Sequence, residues 1–288
     1  LTLGDYSSGD SPNITIMDGI ENCTKLKSLK IFYGPNKDYS AISQLLNFTT
    51  FYRYGGSDFN NIIDALKLCS KLDSITVTSQ KEISDMSKIS QLSNSITEIN
   101  LGNNSISKID GITNLTNLKV LNLNGNQISK IEKLNNFFNL KELYLMNNKI
   151  KDITPLCINT SLTTLDLRGN TQIDGNRNNY TAEGLEALNK IGEILDRGGT
   201  INLDIDKLSL FTNYKTLDLS GQNLTTLEPL EGLTQLTSLN VSNNKLTLTD
   251  EKSQEILKSM TNLNTLNLNN NQITSIIAIN NLKDLKYL

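Results

Sequence analysis

The sequence predicts an α/β solenoid: a curved, right-handed superhelix of short coils. A parallel β-sheet would line its concave face, with irregular, 3-10 and short α-helical segments on the convex face. Two observations predict it. Four segments align without gaps at intervals of 22 residues: ITEINLGNNSI from Ile96, LKVLNLNGNQI from Leu118, LKELYLMNNKI from Leu140 and LTTLDLRGNTQ from Leu162. Three more repeat the pattern from Tyr214, Leu236 and Leu263. Self-similarity at such a period is the signature of a repeat architecture, because one unit cannot bury its apolar edge except against its neighbours.

Counted from its first apolar residue, the unit is apolar at positions 1, 4 and 6, carries Asn at 9, and is apolar again at 11, 14 and 17. Leu118, Leu121, Leu123, Asn126, Ile128, Ile131 and Leu134 give one complete instance. The step from position 4 to 6 is the period of a strand with one buried face. The Asn at 9 leaves the strand, and its amide can satisfy buried backbone groups in the turn. Asn104, Asn126, Asn148, Asn170, Asn244 and Asn271 are expected to stack as a ladder, loosened where Gln222 takes the place.

In order along the chain, residues 1–95 read as degenerate repeats, 96–170 as regular ones, 171–213 as a helix-bearing insertion and 214–288 as regular again, all within one domain. In the degenerate part, Leu29 and Ile31, Phe51, then Ile75 and Val77 fall on positions 4 and 6, but Arg53 occupies an apolar place and leaves that register insecure. Leu1 and Leu3 extend the series backward. Three longer returns carry helical patterns: 58–70 through Ile62, Ile63, Leu66 and Leu68; 174–200 through Leu185, Leu188, Ile191 and Leu195, stopped by Gly198-Gly199; and 249–260 through Ile256, Leu257 and Met260. INLDI at 201–205 fits a strand of unfixed register. Both ends fall inside a repeat, so the chain is expected to be a piece of a larger protein.

The composition narrows the chemistry. Histidine is absent, which removes His-based triads and His metal sites. The 27 basic residues are scattered among 30 acidic ones, which argues against a nucleic-acid partner, since phosphate neutralisation needs a clustered basic surface. No catalytic residue, metal or cofactor is expected. Cys23, Cys69 and Cys157 are odd in number and form no CxxC; Cys23 and Cys69 stand where other repeats carry Leu, so both are expected to be small buried hydrophobes. No apolar run is long enough to span a membrane.

The binding surface is expected at positions 5 and 7, which point away from the core. Phe32, Tyr33, Tyr52 and Tyr54 form an aromatic patch; Tyr144, Met146, Asp166 and Arg168 form a mixed centre; Asn and Ser fill most of the rest. Aromatic and Arg side chains are the usual anchors of protein interfaces. The competing reading of Phe32 and Tyr54 is that they cover a weak N-terminal core, and of the Asp166–Arg168 pair that it neutralises itself. The position-5 asparagines read as solvated filler. The expected partner is a protein ligand on the concave face of a monomer.

Asn148–Leu167 (NKIKDITPLCINTSLTTLDL), Leu224–Val241 (LTTLEPLEGLTQLTSLNV) and Asn126–Leu134 (NQISKIEKL) resemble the internalin type of bacterial leucine-rich repeat. The longer, helix-bearing repeats look more like the ribonuclease-inhibitor subclass. This resemblance implies a secreted or cell-surface module for adhesion or recognition. The same 22-residue subclass occurs in the leucine-rich regulatory subunit of a eukaryotic Ser/Thr phosphatase, which implies the alternative of a cytoplasmic docking scaffold. A third alternative is a carbohydrate-binding surface in which the aromatic patch stacks on sugars.

Overall fold

The computed structural model describes residues 1–3, 17–35 and 37–288. The chain divides into two compact units, Leu1–Ile173 and Asp174–Leu288.

In the first unit, eight strands pair in parallel in chain order. They are β1 (Thr2–Leu3), β2 (Ser28–Phe32), β3 (Thr50–Tyr54), β4 (Ser74–Thr78), β5 (Glu98–Asn100), β6 (Val120–Asn122), β7 (Glu142–Tyr144) and β8 (Thr164–Asp166). Position 4 is in register across seven of them, from Leu29 through Phe51, Ile75, Ile99, Leu121 and Leu143 to Leu165. All seven side chains are fully buried. Each such side chain taken out of water contributes about 1.5–3 kcal/mol, so lateral stacking of apolar rows drives the assembly. The returns are 3-10 turns such as Glu132–Asn136 and Thr154–Ile158, and one helix, α1 (Phe59–Leu66). Ile62, Ile63 and Leu66 of α1 are buried, but Leu68 lies beyond its end and is exposed, contrary to the expected stripe.

The second unit holds β9 (Thr200–Asn202) and a parallel sheet of β10 (Thr216–Asp218), β11 (Ser238–Asn240) and β12 (Thr265–Asn267). Its helices are α2 (Ala182–Asp196) and α3 (Glu251–Ser259). The Asp250 carboxylate caps α3 by accepting the Ser253 N–H at 2.6 Å. In α2 the core is made by Leu188, Ile191 and Ile194; Leu185 and Leu195, expected on that stripe, are only half-buried. The Gly199 N–H returns to the Ile194 carbonyl, with Gly198 at a φ of 78°, which closes the helix as the glycine pair predicts.

The asparagine ladder forms. In Asn126, Nδ2 donates to the carbonyls of Leu101 (3.0 Å) in the preceding repeat and Leu123 (2.9 Å) in its own, while Oδ1 accepts the Ile106 N–H at 2.9 Å. Asn104, Asn148, Asn170, Asn244 and Asn271 repeat this three-bond pattern. Each amide therefore joins two neighbouring coils. Gln222 does not: it is exposed, and its amide reaches only the Ser220 carbonyl. Leu217 in the same repeat is correspondingly only half-buried.

The cysteines divide. Cys69 is buried, and desolvation raises its thiol to about 11. Cys23 is exposed, against expectation, because it follows the short turn Ile20–Asn22 at the surface. Since the thiolate is the nucleophile, iodoacetamide at pH 8 is expected to alkylate Cys23 in the native protein and Cys69 only after unfolding. Mass spectrometry of the digested protein checks this; prompt native labelling of Cys69 would contradict the packing.

Candidate functional site

Three local rules set the outward surface. The first concerns position 5. Asn100 Oδ1 accepts the Gly102 N–H (3.0 Å) and Asn122 Oδ1 the Asn124 N–H (3.0 Å). Asp166, Asp218, Asn240 and Asn267 make the same bond to the N–H two residues on. These are Asx turns, in which a side chain takes the N–H that would otherwise extend the strand. Strands with Asn or Asp there are three residues long; β2, β3 and β4, with Lys30, Tyr52 and Thr76, run to five, while β7, with Tyr144, is also three long because Asn124 Oδ1 of the preceding coil takes the Met146 N–H. The position-5 asparagines thus terminate strands, a role beyond the solvated filler that the sequence reading assigned them.

The second rule concerns position 8, which is left-handed in the coils of β2–β8 and β10–β12. Gly125, Gly169, Asn103, Asn147 and Asn243 sit there at φ between 56° and 72°. Gly and Asn suit this region. Tyr33 occupies the same place at a φ of 52°. A bulky residue held in this region stores strain of about 1–3 kcal/mol and persists only when its surroundings hold it there.

The third rule supplies that hold. Arg53, at the apolar position 6, keeps the register and is fully buried beside Val77 and Ile31. Its guanidinium donates to the carbonyls of Tyr33 and Gly34, the latter at 3.2 Å, and pairs with Asp58 at 3.3 Å. The Asp58 carboxylate also accepts from the Tyr39 hydroxyl (2.8 Å), the Gln80 amide (2.9 Å) and the Lys37 backbone N–H (3.3 Å). Burial and the adjacent carboxylate raise the Tyr39 phenol, while burial and the Arg53 charge lower the Lys37 ammonium. This cluster fills the turns of repeats that carry glycine, not asparagine, at position 9 (Gly34 and Gly56).

Above it lies the aromatic patch. Phe32 packs on Tyr52 with ring centroids 5.2 Å apart, and Tyr33 meets Tyr54 edge-on at 5.0 Å. All four are half-buried, on the opposite side of the sheet from Leu29, Ile31 and Phe51. Burial also raises the Tyr52 phenol, which hydrogen-bonds with Thr78. The patch covers strand backbone and its own neighbours while leaving ring surface in solvent.

Tyr144 and Met146 lie on β7 and just after it, four strands from Tyr52, or about 19 Å at the usual spacing. The structure therefore does not bring the two groups of residues together; they bracket a strip of the sheet. The Tyr144 hydroxyl donates to Glu142 at 2.7 Å, and this bond raises its phenol. Asp166 is buried, and Arg168 grips it through Nε (3.0 Å) and Nη2 (2.6 Å). That pair satisfies itself. Between β3 and β7 no residue at position 5 or 7 is charged. Among the described residues no helix is long and apolar enough to cross a membrane, and no three His, Cys, Asp or Glu side chains converge in a way that could hold a metal.

Sequence reasoning missed Arg53, Asp58 and the oriented amides of Asn100, Asn122 and Asn124. A signal for the amides was present: Asn and Asp alternate at position 5, and an acceptor oxygen is what they share.

Profiles for leucine-rich repeats match residues 94–136, 139–178, 212–253 and 259–279, just over half of the chain. No curated protein sequence matches it. Among solved structures, the TLR13–ssRNA13 complex aligns over 96% of this chain and 40% of its own, with a TM-score of 0.63 and 22% identity. A leucine-rich-repeat protein of Leptospira interrogans aligns over 100% and 87%, with a TM-score of 0.52 and 18% identity. An internalin from Listeria monocytogenes aligns over 97% and 84%, with a TM-score of 0.48 and 23% identity.

Proposed function

Because the chain belongs to the leucine-rich-repeat family, we propose that the outward face of its sheet is a protein-binding surface with no catalytic role. The observation that carries this reading is the rigid aromatic patch. Phe32, Tyr33, Tyr52 and Tyr54 are locked on a sheet whose reverse is core, and the left-handed Tyr33 is held by a buried ion pair. Rings that are ordered before a ligand arrives lose little freedom on binding, which is what makes aromatic anchors effective. Tyr144 and Met146 serve as a second anchor; Asp166 and Arg168, already paired with each other, contribute mainly shape.

The location we propose is secreted or cell-surface, where such a module would serve adhesion or recognition. The internalin-type segments at Asn148–Leu167 and Leu224–Val241 support it. Protease shaving of intact cells is the check: loss of the protein from unlysed cells is expected, and full protection would favour the cytoplasmic docking role instead.

For the surface itself, the immobilised protein is used to capture a partner from a cell-surface protein extract, and the affinity of the identified partner is then measured. Tyr52→Ala and Tyr144→Ala are each expected to weaken it about 30-fold, the effect of losing about 2 kcal/mol at an anchor. An unchanged Kd in the double variant would place the interface elsewhere.

A further inference from the structure

We propose that the strip of sheet between Tyr52 and Tyr144 seats a proline-rich segment in the polyproline II conformation. This rests on the protein-binding reading above and names the kind of polypeptide it takes.

The argument is one of hydrogen-bond polarity. The side-chain oxygens of Asn100 and Asn122 are committed to the backbone N–H groups of Gly102 and Asn124, both at 3.0 Å. Asn124 Oδ1 accepts the Met146 N–H at 2.7 Å. With each oxygen engaged, the orientation of each amide is fixed, because a flip would set two hydrogen donors against each other. The Nδ2 groups have no partner among the described residues, and all three asparagines are part-exposed. At positions 5 and 7 the strip therefore offers a row of N–H donors, the Thr76 hydroxyl, ring surface at both ends and no charge. Two carboxylates flank this row at the start of the strands: Glu142, which accepts from Tyr144, and Glu98 on β5, which is exposed.

The occupant must bring acceptors without bringing donors that need partners. An ordinary extended peptide brings one N–H per residue, and a sugar brings a donor with every hydroxyl. A carboxylate would lose its water against a face with no cation. Proline has a carbonyl and no N–H. In polyproline II the carbonyls make no internal hydrogen bonds, and proline-rich segments dock on aromatic-lined grooves. The length also agrees: about 19 Å separates Tyr52 from Tyr144 at four strand spacings, which about six residues span at ~3.1 Å each.

The test is titration of a fluorescein-labelled octaproline into the full chain by anisotropy, with a Gly/Ser octapeptide and an N-acetylglucosamine hexamer as comparisons. Saturable binding of octaproline alone is expected, weakened at least tenfold by Tyr52→Ala or Tyr144→Ala. Asn122→Asp is the decisive variant. It keeps the oxygen that closes the turn, as Asp166 and Asp218 do in this chain, and replaces the outward donor by an anionic acceptor. It is expected to leave the Tm unchanged and to weaken binding at least tenfold. Absence of saturable octaproline binding, equal binding to Asn122→Asp, or binding of the sugar in its place overturns the proposal. If octaproline fails while capture of a protein partner still depends on Tyr52, only this inference falls; if that dependence is also absent, the protein-binding reading falls with it.

Discussion

Replacing Asp58 by alanine is expected to cost about 3–5 kcal/mol of folding stability, the range for breaking a buried ion pair from one side. Arg53 would keep its position in the core, fully buried, with its charge unpaired and only the backbone carbonyls of Tyr33, Gly34, Pro35 and Tyr54 as partners. The Tyr39 hydroxyl, the Gln80 amide and the Lys37 N–H would each lose an acceptor at the same time. Urea unfolding followed by tyrosine fluorescence measures this, the chain having no tryptophan to obscure it. A loss below 1 kcal/mol would mean that the cluster is open to water. The double variant Arg53→Leu with Asp58→Leu gives the complementary result. It restores an apolar residue at position 6, as in the other repeats, and removes both charges together, so it is expected to be clearly more stable than Asp58→Ala alone. Tyr33 would then lose the group that holds it left-handed, so the same double variant should bind its partner more weakly while folding well.

The second large effect is in the ladder. Asn148→Ala is expected to destabilise by about 1–3 kcal/mol, because it leaves the buried Ile128 N–H without its acceptor and takes one of two donors from each of the carbonyls of Leu123 and Leu145, which keep Asn126 and Asn170. Gln222→Ala is the internal control, expected to change stability by less than about 0.5 kcal/mol since its side chain is exposed and bridges no coils. Equal losses for the two would mean that the amide ladder is incidental to the stacking of leucines.

The regular coils were legible because their signal is local: positions 1, 4, 6 and 9 lie within nine residues, and the same leucines and asparagines recur. The N-terminal coils were not, because their polar centre is assembled from Lys37, Tyr39, Arg53, Asp58 and Gln80, residues 2 to 43 positions apart that share no motif. Arg53 looked like a break in the pattern, yet it occupies the position the pattern assigns and is accommodated by Asp58. The outward direction of Tyr52 and Tyr144 followed from strand alternation. The Asx turns did not, since they depend on which side-chain atom meets which N–H. In α2 Ile194, not Leu195, turns to the core, and in α1 the stripe was overrun at Leu68, because a helix end is set by its cap and not by its last apolar residue.

The Asx turns also bear on how the protein behaves when it frays. A strand uncovered by local opening is a template for pairing with another molecule, and its danger grows with length and flatness. From β5 onward each strand stops after three residues, too short to recruit a foreign chain effectively. The five-residue strands β2–β4, made largely of β-branched, aromatic and other apolar residues, lack that safeguard, and aggregation on mild heating should begin there.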